Sequence, residues 1–134
     1  MRIITTKGIK ETAERLAQET AKAKKIDWGM TKSFYIDKEI ENTCREAVAR
    51  GVDERLLGPV NKKTLPVVKQ YLDLGVKVKS VPLEEFKFGI KDNDLVRFWI
   101  GRGKEVFCVW IYDKIVNNYF RKMYEGLWEK AKSA

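Results

Sequence analysis

One local pattern occurs twice in the middle of the chain: a helical stretch ends at a Gly-Val pair and leads directly into a β-prone run. The first copy is at Gly51-Val52 and the second at Gly75-Val76. A glycine after a helix readily takes the left-handed backbone conformation that turns the chain out of the helix. Two such units in tandem predict a parallel βαβ arrangement with right-handed crossovers.

Strands and helices alternate through the first 81 residues. The predicted strands are residues 3–6, 26–30, 53–58 and 76–81. A helical pattern opens at Gly8, a second has Asp37 as its N-cap, and a third has Asn61 or Thr64 in that role. Each helical pattern carries one apolar stripe, which predicts that each helix packs against the sheet.

The character of the chain changes after Pro82. Three strand-like runs follow, over residues 86–90, 95–100 and 106–112, and a last amphipathic helix begins at an N-cap Asp113. The links between these runs are short, which predicts antiparallel hairpins. The fold class is therefore α/β in one domain, residues 1–134: a mixed β-sheet of parallel βαβ units followed by an antiparallel meander, with helices on both faces.

The charge balance favours an anionic partner. The chain has 27 Lys and Arg against 19 Asp and Glu, for a net charge of +8. Such a surplus is typical of proteins that bind nucleic acid, a phosphorylated ligand or an anionic membrane. The lysines are spread along the chain, however, which is also typical of the solvated, charge-rich surface of a thermophile protein. Both interpretations stay open.

Several kinds of site are excluded or disfavoured by composition. The chain contains no histidine, and its two cysteines, Cys44 and Cys108, lie in apolar segments. We therefore expect buried free thiols, no zinc site and no cofactor, although a carboxylate site for magnesium or calcium is not excluded. No apolar run is long enough to span a membrane and no signal peptide is recognisable, which predicts a soluble cytoplasmic protein.

Residues 85–92 read Glu-x-Lys-x4-Asp, with Glu85, Lys87 and Asp92 at the named positions. This segment and the order of elements resemble one repeat of the phospholipase D superfamily, which carries His-x-Lys-x4-Asp at its active site. The resemblance extends to the opening strand and helix, to residues 75–78 and to the helix ending at residues 127–131. It is closest to the sensor-type version of the fold in archaeal regulators of the TrmB family.

The resemblance implies a degenerate site. Lys87 and Asp92 match the motif, Glu85 stands at the position of the nucleophilic histidine, and the Gly-Ser-x-x-Asn that follows in the family is missing here. A carboxylate cannot serve as both phosphoryl acceptor and proton shuttle at neutral pH, so no enzyme activity is expected. Active relatives place two repeats face to face, which implies a homodimer for a single repeat.

TrmB-type regulators also carry a winged DNA-binding domain before this fold. No such segment precedes the strand that begins at Ile3. Both an excised effector domain and a free-standing protein are compatible with this observation. Nucleic acid is then a partner either through a separate DNA-binding domain or through the basic surface of this one.

The candidate ligand pocket consists of Glu85, Lys87, Asp92 and Trp28. Glu85 and Lys87 alternate to one face of a predicted strand, and Trp28 lies near the end of another. The alternative is an ordinary hairpin with a charged outer face and an Asp-Asn-Asp turn.

Two further sets of residues are candidates for contacts. Arg102 and Lys104, in a Gly-Arg-Gly-Lys link, are candidate anion contacts, and the alternative is a plain hairpin loop. Tyr124 and Trp128, on the wide apolar arc of the last helix, are candidates for a dimer surface. The alternative for the tryptophans is core packing.

The favoured hypothesis is a non-catalytic effector-binding and dimerisation domain of TrmB type, with a sugar or a phosphorylated metabolite as its effector. A second hypothesis is a basic module that binds nucleic acid or anionic lipid through Lys10, Lys22, Lys24, Lys25 and the lysines of the last helix. A third is a residual phosphodiesterase in which Glu85 replaces the nucleophile.

Overall fold

A single mixed sheet organises the computed structural model, which describes residues 1–83, 87–101 and 103–134. Within these residues the strands are β1 (Arg2–Lys7), β2 (Ile26–Met30), β3 (Asp53–Gly58), β4 (Lys77–Ser80), β5 (Lys87–Lys91), β6 (Leu95–Ile100), β7 (Phe107–Tyr112) and β8 (Lys132–Ser133). The helices are α1 (Gly8–Lys22), α2 (Lys38–Ala49), α3 (Leu65–Asp73) and α4 (Lys114–Lys130), with a 3-10 turn at Gly103–Glu105.

The strand order across the sheet is β1-β7-β6-β5-β2-β3-β4-β8. β2, β3 and β4 are parallel, and β5, β6 and β7 form an antiparallel meander joined to β2. Gly51 and Gly75 have φ values of 92° and 93°, the left-handed conformation expected at the helix ends. The predicted α/β class, with parallel units followed by a meander, is confirmed.

Both edges of the sheet come from pairings that the sequence pattern does not indicate. β1 lies at one edge, antiparallel to β7, with Ile4 opposite Trp110. The short β8, which the sequence analysis missed, covers the other edge by pairing antiparallel with β4. Local periodicity identifies the strands. It does not determine which strands pair, because a pairing between residues far apart in the chain leaves no pattern near either residue.

The helices lie on both faces of the sheet, as predicted. α1, α2 and α3 cover one face, with Phe34, Ile40, Val68 and Tyr71 in the core beneath them. α4 covers the opposite face through a separate aromatic core, whose buried members are Ile26, Trp28, Met30, Leu57, Phe88, Ile90, Val96 and Tyr124. Because strand side chains alternate between faces, neighbouring residues of β2, β5 and β6 belong to different layers.

Two predicted helix caps are present. The Oδ1 atom of Asp37 accepts a hydrogen bond from the backbone N–H of Ile40 at 2.7 Å, and Oδ2 of Asp113 accepts one from Val116 at 2.9 Å. Such caps each contribute about 1 kcal/mol to helix stability. They determine where α2 and α4 begin, and therefore how each helix lies on its face of the sheet.

The loop between β2 and α2 folds tightly over the end of β3. At Gly58, a Cβ atom would lie 2.1 Å from the carbonyl oxygen of Thr31 and 2.7 Å from the ring of Phe34. Only glycine tolerates this approach, since any side chain would displace the loop backbone. The loop thereby forms one wall of a cavity at the carboxyl ends of β2 and β3.

Candidate functional site

A cavity of about 780 Å³ opens on the face of the sheet that carries α1, α2 and α3. It lies at the carboxyl ends of the parallel strands β2 and β3, next to the start of β5. Open α/β sheets commonly bind ligands at this edge, because loops leave the strands there and can be shaped without disturbing the sheet. The volume is that of an ordinary small-molecule site.

Lys87 lies in this cavity as the first residue of β5, with only 5 % of its surface exposed. β5 is antiparallel to β2, so its first residue lies beside the carboxyl end of β2. Alternation places Lys87, Gly89 and Lys91 on the α1 side, whereas Phe88 and Ile90 pack under α4. Of the residues predicted for a ligand pocket, Lys87 is thus one that lines this cavity.

Arg97 extends across the floor of the cavity from β6 and is 4 % exposed. One guanidinium nitrogen lies 3.2 Å from Oδ1 of Asp27, in a buried ion pair. A Cβ atom on Gly29 would lie 3.0 Å from the guanidinium, and one on Gly89 would lie 2.9 Å from it. Two glycines on adjacent strands thus make the space that the arginine occupies, which the sequence analysis missed.

Asp27 pairs with Arg97, and a second hydrogen bond fixes the position of Asp27 itself. Its Oδ2 atom accepts a hydrogen bond from the hydroxyl of Thr20 at 2.9 Å, while Oδ1 faces Arg97. Burial raises the pKa of neighbouring Glu54 well above its usual range, and the charge of Asp27 and a hydrogen bond with it raise that pKa further. The protonated form of Glu54 is therefore favoured, and Asp27 is the acidic side chain within ion-pair distance of Arg97.

A second buried ion pair lies beyond the cavity. Nζ of Lys91 is 2.9 Å from Oε1 of Glu19, and the Tyr112 hydroxyl donates to Oε2 of Glu19 at 2.6 Å. Burial by itself raises the pKa of Glu19, but the hydrogen bonds from Tyr112 and Lys91 outweigh it and the pKa is lowered. Glu19 is thus ionised, and its charge balances that of Lys91.

The cavity carries positive charge. Its lining within the described residues includes four cations, Lys32, Lys63, Lys87 and Arg97, and no carboxylate. Hydroxyl and amide groups contribute hydrogen-bonding capacity, at Thr12, Thr31, Ser33, Tyr35, Asn61, Thr64 and Tyr71. A cavity with low-dielectric walls concentrates the field of such cations, so this site suits a negatively charged molecule.

Asp92 does not belong to this site, which corrects the predicted pocket. It follows the far end of β5, about 16 Å along the strand from Lys87 at the usual rise per residue. Its φ is 51°, and its carboxylate accepts hydrogen bonds from the backbone N–H groups of Lys24, Lys25 and Ile26 at 2.8 to 3.2 Å. Asp92 therefore ties the end of the hairpin to the start of β2, a structural role.

Trp28 is also separate from the cavity, because it points to the opposite face of β2. Its ring stacks on that of Tyr124, with centroids 5.3 Å apart, and its Nε1 donates to Oδ2 of Asp53 at 3.3 Å. The core alternative is correct for this tryptophan, which is 3 % exposed. Gly29, the next residue, is the one that faces the cavity.

Tyr124 cannot form a subunit surface, which is a second correction. It is completely buried, and its hydroxyl donates to the carbonyl oxygen of Gly29 at 2.8 Å. Trp128 is half-buried, with the guanidinium of Arg55 4.9 Å and the ammonium of Lys79 4.8 Å from its ring centroid. On this helix the buried side chains are those in the row that faces the sheet. The sequence shows only a broad apolar arc, in which that row cannot be told apart from the rows beside it.

Two predicted site residues, Glu85 and Arg102, lie outside the described residues. Lys104 is exposed in the 3-10 turn before β7, and the N–H of Gly8 donates to the carbonyl of Val106 nearby at 2.7 Å. This turn is at the same edge of the sheet as the cavity mouth. Lys104 is not one of the lining residues.

The cysteines are buried free thiols, as predicted, and burial raises the pKa of Cys108 to about 12. In the described segments, 1–83, 87–101 and 103–134, no group of three or more His, Cys, Asp or Glu residues could hold a metal ion. None of the helices described here is long and apolar enough to cross a membrane.

The lysines of the predicted basic module do not form one surface. Lys10 lies near the start of α1 and Lys22 at its end, about 18 Å apart along the helix. The lysines of α4 are on the other face of the sheet. A different set of exposed lysines shares the edge around the cavity mouth: Lys7, Lys10, Lys32, Lys63 and Lys104.

Solved structures with the same fold support the phospholipase D-like assignment. TrmBL2, an archaeal chromatin protein whose structure shows a novel mode of DNA binding, superposes with a TM-score of 0.78 at 21% identity, covering 100% of this chain and 55% of TrmBL2. Nuc, a phospholipase D family member from Salmonella typhimurium, gives 0.80 at 14% identity over 99% of this chain and 97% of its own. NucT from Helicobacter pylori gives a TM-score of 0.76 at 12% identity, covering 99% of this chain and 100% of NucT.

These likenesses show the fold: the chain has a phospholipase D-like architecture related to that of TrmBL2, and it spans about half the length of that protein. No protein-family model matches the chain. No curated protein matches it either.

Proposed function

We propose that this domain binds a small anionic molecule without transforming it, as an effector-binding domain of phospholipase D-like fold. The observation that carries the proposal is the cavity at the carboxyl edge of the sheet, with two buried cations, Lys87 and Arg97, and no carboxylate in its described lining. Cations that line a cavity with low-dielectric walls raise the positive potential inside it, which favours a ligand of opposite charge.

The absence of catalysis is proposed on chemical grounds. The chain has no histidine, and the thiols of Cys44 and Cys108 are buried, which raises the pKa of each. Burial likewise raises the pKa of Tyr71, which lines the cavity. A nucleophile with an adjacent base, the usual requirement for covalent catalysis, is therefore not available from these groups at neutral pH.

The lining favours a phosphorylated sugar or a similar metabolite. Lys87 and Arg97 suit the charged group, while the hydroxyl-bearing residues on the opposite wall suit ligand hydroxyls. Trp99 and Tyr35 add aromatic surface against which a sugar ring can pack. A neutral sugar lacks the charged group that would interact with the two buried cations, so we expect it to bind more weakly.

Calorimetric titration with matched pairs of sugars and their phosphates tests this proposal. The phosphorylated members should bind and raise the melting temperature, and the parent sugars should bind at least tenfold more weakly. Lys87→Met should abolish the difference, whereas Lys69→Met, on the exposed side of α3, should leave it unchanged. If no anion in the panel binds, or if Lys87→Met binds as well as the parent chain, the proposal fails.

Regulation would follow from differential binding. A ligand that binds one packing arrangement of the domain more tightly shifts the population toward it. In an effector domain of this kind, that shift would be transmitted to a second copy or to an attached domain. We propose homodimerisation as part of this function.

A nucleic-acid partner is the second candidate function, favoured by the five lysines around the cavity mouth and by the likeness to a chromatin protein. Binding to duplex DNA followed by fluorescence anisotropy between 50 and 300 mM salt decides it, with these concentrations chosen as roughly the range in which counterion release is steep. Replacing Lys32 and Lys63 with Gln should then reduce the salt slope by about two. Affinity that does not change with salt would reject this candidate.

A further inference from the structure

Arg97 lies between the large cavity and a second, much smaller one. The small cavity has a volume of about 40 Å³ and lies between the sheet and the helices α1 and α2. Its lining includes the polar side chains of Asp27, Glu54, Thr20 and Thr43, and Arg97 lines both cavities. A change of charge in the small cavity therefore acts through the guanidinium on a ligand in the large one.

Asp27 and Glu54 form a buried pair of acids, called the carboxyl pair below. They are register partners on the parallel strands β2 and β3, so both side chains point to the same face of the sheet. Each has 5% of its surface exposed, and the two carboxyl groups are in hydrogen-bond contact. A hydrogen bond between two carboxyl groups requires a proton, because an ionised carboxylate can only accept. The carboxyl pair is therefore a place for one proton.

The other contacts of Glu54 fit the protonated acid. Its Oε1 atom lies 3.8 Å from Sγ of Cys44, a weak donor. Among the residues that the structure describes, no N–H or O–H group donates to its Oε2 atom. A buried carboxylate oxygen without a donor costs free energy, whereas a carboxylic acid brings a proton of its own. Burial and the adjacent Asp27 raise the pKa of Glu54 well above its usual range, in agreement with these contacts.

Arg97 has hydrogen-bonding capacity to spare. One guanidinium nitrogen lies 3.2 Å from Oδ1 of Asp27, and another is 3.5 Å from the carbonyl oxygen of Trp28. Its Nε atom has no hydrogen-bond partner within the described part of the chain. A guanidinium carries five N–H donors, so these contacts use only some of them. While the carboxyl pair carries a single negative charge, the guanidinium can also bind an anion in the large cavity.

We propose that the carboxyl pair is a proton site that sets the affinity of the large cavity for anions. With its proton, the pair carries one negative charge, which Arg97 balances. Without it, two carboxylates share one guanidinium and lower the positive potential in the cavity. Binding of an anion and uptake of a proton from the solvent are then linked, and each favours the other.

The other titratable groups around Glu54 do not give this response. Burial raises the pKa of Cys44 on α2 and of Tyr71 on α3, so both stay neutral. The pKa of Glu19 on α1 is lowered by its hydrogen bonds, so it stays ionised. Glu54 is thus the acid in this set whose ionisation moves toward neutral pH. The same side of the sheet also carries Thr20 from α1, Asp27 from β2, the apolar Val78 from β4, Lys87 and Lys91 from β5, Arg97 from β6 and Cys108 from β7.

This inference rests on the anion binding proposed above, and calorimetric titration with inorganic sulfate tests it. Sulfate stays a dianion from pH 5 to pH 9, so a change in binding over this range comes from the protein. In the parent chain the dissociation constant should rise roughly tenfold from pH 6 to pH 9, since one linked proton changes an affinity by at most about tenfold per pH unit. Titrations at pH 8 in two buffers of different ionisation enthalpy should show proton uptake on binding.

Glu54→Gln keeps the shape of the protonated acid but cannot ionise. It should bind sulfate as tightly at pH 9 as at pH 6 and take up no proton. Glu46→Gln makes the same replacement at an exposed position of α2 and should keep the pH dependence of the parent chain. Carbon-13 NMR of the parent chain needs no variant. The carboxyl carbon of Glu54 should titrate above the ordinary value of 4.5, and its midpoint should rise further with saturating sulfate.

The possible failures are distinguishable. If sulfate binds equally tightly from pH 5 to pH 9, the linkage is wrong and the proposed anion site stands. If Glu54→Gln keeps the pH dependence of the parent chain, the linkage is also wrong, and a cation of the cavity such as Lys87 is the group that titrates. If sulfate binds at no pH, the anion site itself is contradicted, and the linkage with it.

Discussion

The two faces of the sheet are built from different chemistry. Between the sheet and the helices α1, α2 and α3 lie six buried acidic or basic side chains, one from α1 and five from the strands: Glu19, Asp27, Glu54, Lys87, Lys91 and Arg97. Under α4 the core is almost entirely aromatic and aliphatic, and Phe88, Phe98, Phe120 and Tyr124 contact one another edge to face. The same strands supply both faces through alternation.

The two faces therefore differ in how well they tolerate substitution. A buried polar network tolerates little change, because each group depends on its partners for the free energy of its charge. An apolar core tolerates substitution as long as its volume is kept. The polar face is therefore suited to a specific binding site, and the apolar face supplies folding stability. Four predictions test this comparison, from the largest expected effect to the smallest.

Removing the carboxylate partner of the buried arginine should have the largest effect. Asp27→Ala leaves the Arg97 guanidinium buried without its counter-ion, so we expect a loss of about 3–5 kcal/mol in the free energy of unfolding, measured with urea. The double substitution Asp27→Ala with Arg97→Met should recover most of this loss, because neither charge is then buried. A double variant as unstable as the single one would show that charge pairing is not what stabilises this face.

Equivalent glycine substitutions on the two faces should have opposite signs. Gly89→Ala places a Cβ atom 2.7 Å from the carbonyl oxygen of Trp28 and 2.9 Å from the Arg97 guanidinium, so it should destabilise by about 1–3 kcal/mol. Gly126 lies within α4, where a Cβ atom would have nothing within 4 Å, so Gly126→Ala should stabilise the domain by about 0.5–1 kcal/mol. Thermal unfolding of both variants and of the parent chain measures the two effects. The comparison fails if both substitutions shift stability in the same direction.

The hydrogen bond from the Tyr124 hydroxyl to the carbonyl of Gly29 connects the apolar face to the floor of the cavity. Tyr124→Phe removes the donor to the carbonyl of Gly29, and we expect a loss of about 1 kcal/mol with the aromatic packing intact. Trp28→Phe, which keeps an aromatic ring but leaves that bond in place, serves as the packing control. If Tyr124→Phe also weakens anion binding in the calorimeter, the bond contributes to the position of Gly29 as well as to stability.

The pH dependence of stability should differ between two of the buried carboxyl groups, Glu54 and Glu19. Glu54 has a raised pKa in the folded state, so the folded chain holds its proton more tightly than the unfolded chain. Its contribution is present below the ordinary value of 4.5 and is lost as the pH rises toward the folded pKa. Glu54→Gln should therefore show a smaller decline in stability from pH 5 to pH 8 than the parent chain. The pKa of Glu19 is lowered in the folded state, so its contribution to stability is present above the ordinary value of 4.5 and is lost as the pH falls through the folded pKa.

The elements of the fold were predictable because their signals are local. Each of these signals acts within a few residues: the left-handed glycines at residues 51 and 75, the caps at Asp37 and Asp113, and the apolar alternation of the meander. The chain order of strands and helices follows from them. The edge positions of β1 and β8 were not predictable, because the pairing of residue 4 with residue 110 leaves no mark near either one.

The site was predictable only in part, for a related reason. Lys87 carries a motif, but Arg97, Asp27 and Gly29 are recognisable as a set only when strands distant in sequence are placed side by side. Trp28 and Asp92 were misassigned for different reasons. The position of Trp28 near a strand end does not determine the face of the sheet to which its ring points. The position of Asp92 in the motif does not determine the end of the strand at which it lies. A charged residue inside an otherwise apolar strand, such as Arg97 between Val96 and Phe98, was the available signal.

The position of β1 has a consequence for the order of events during synthesis. Its partner strand, Phe107–Tyr112, is translated about 100 residues later, which at 5–20 residues per second is a delay of roughly 5–20 s. During that interval the nascent chain carries an apolar β-prone segment, residues 3–6, whose hydrogen-bonding partners do not yet exist. Within this sheet, β1 is thus the strand that waits longest for its partner and depends longest on being kept from pairing with the wrong one.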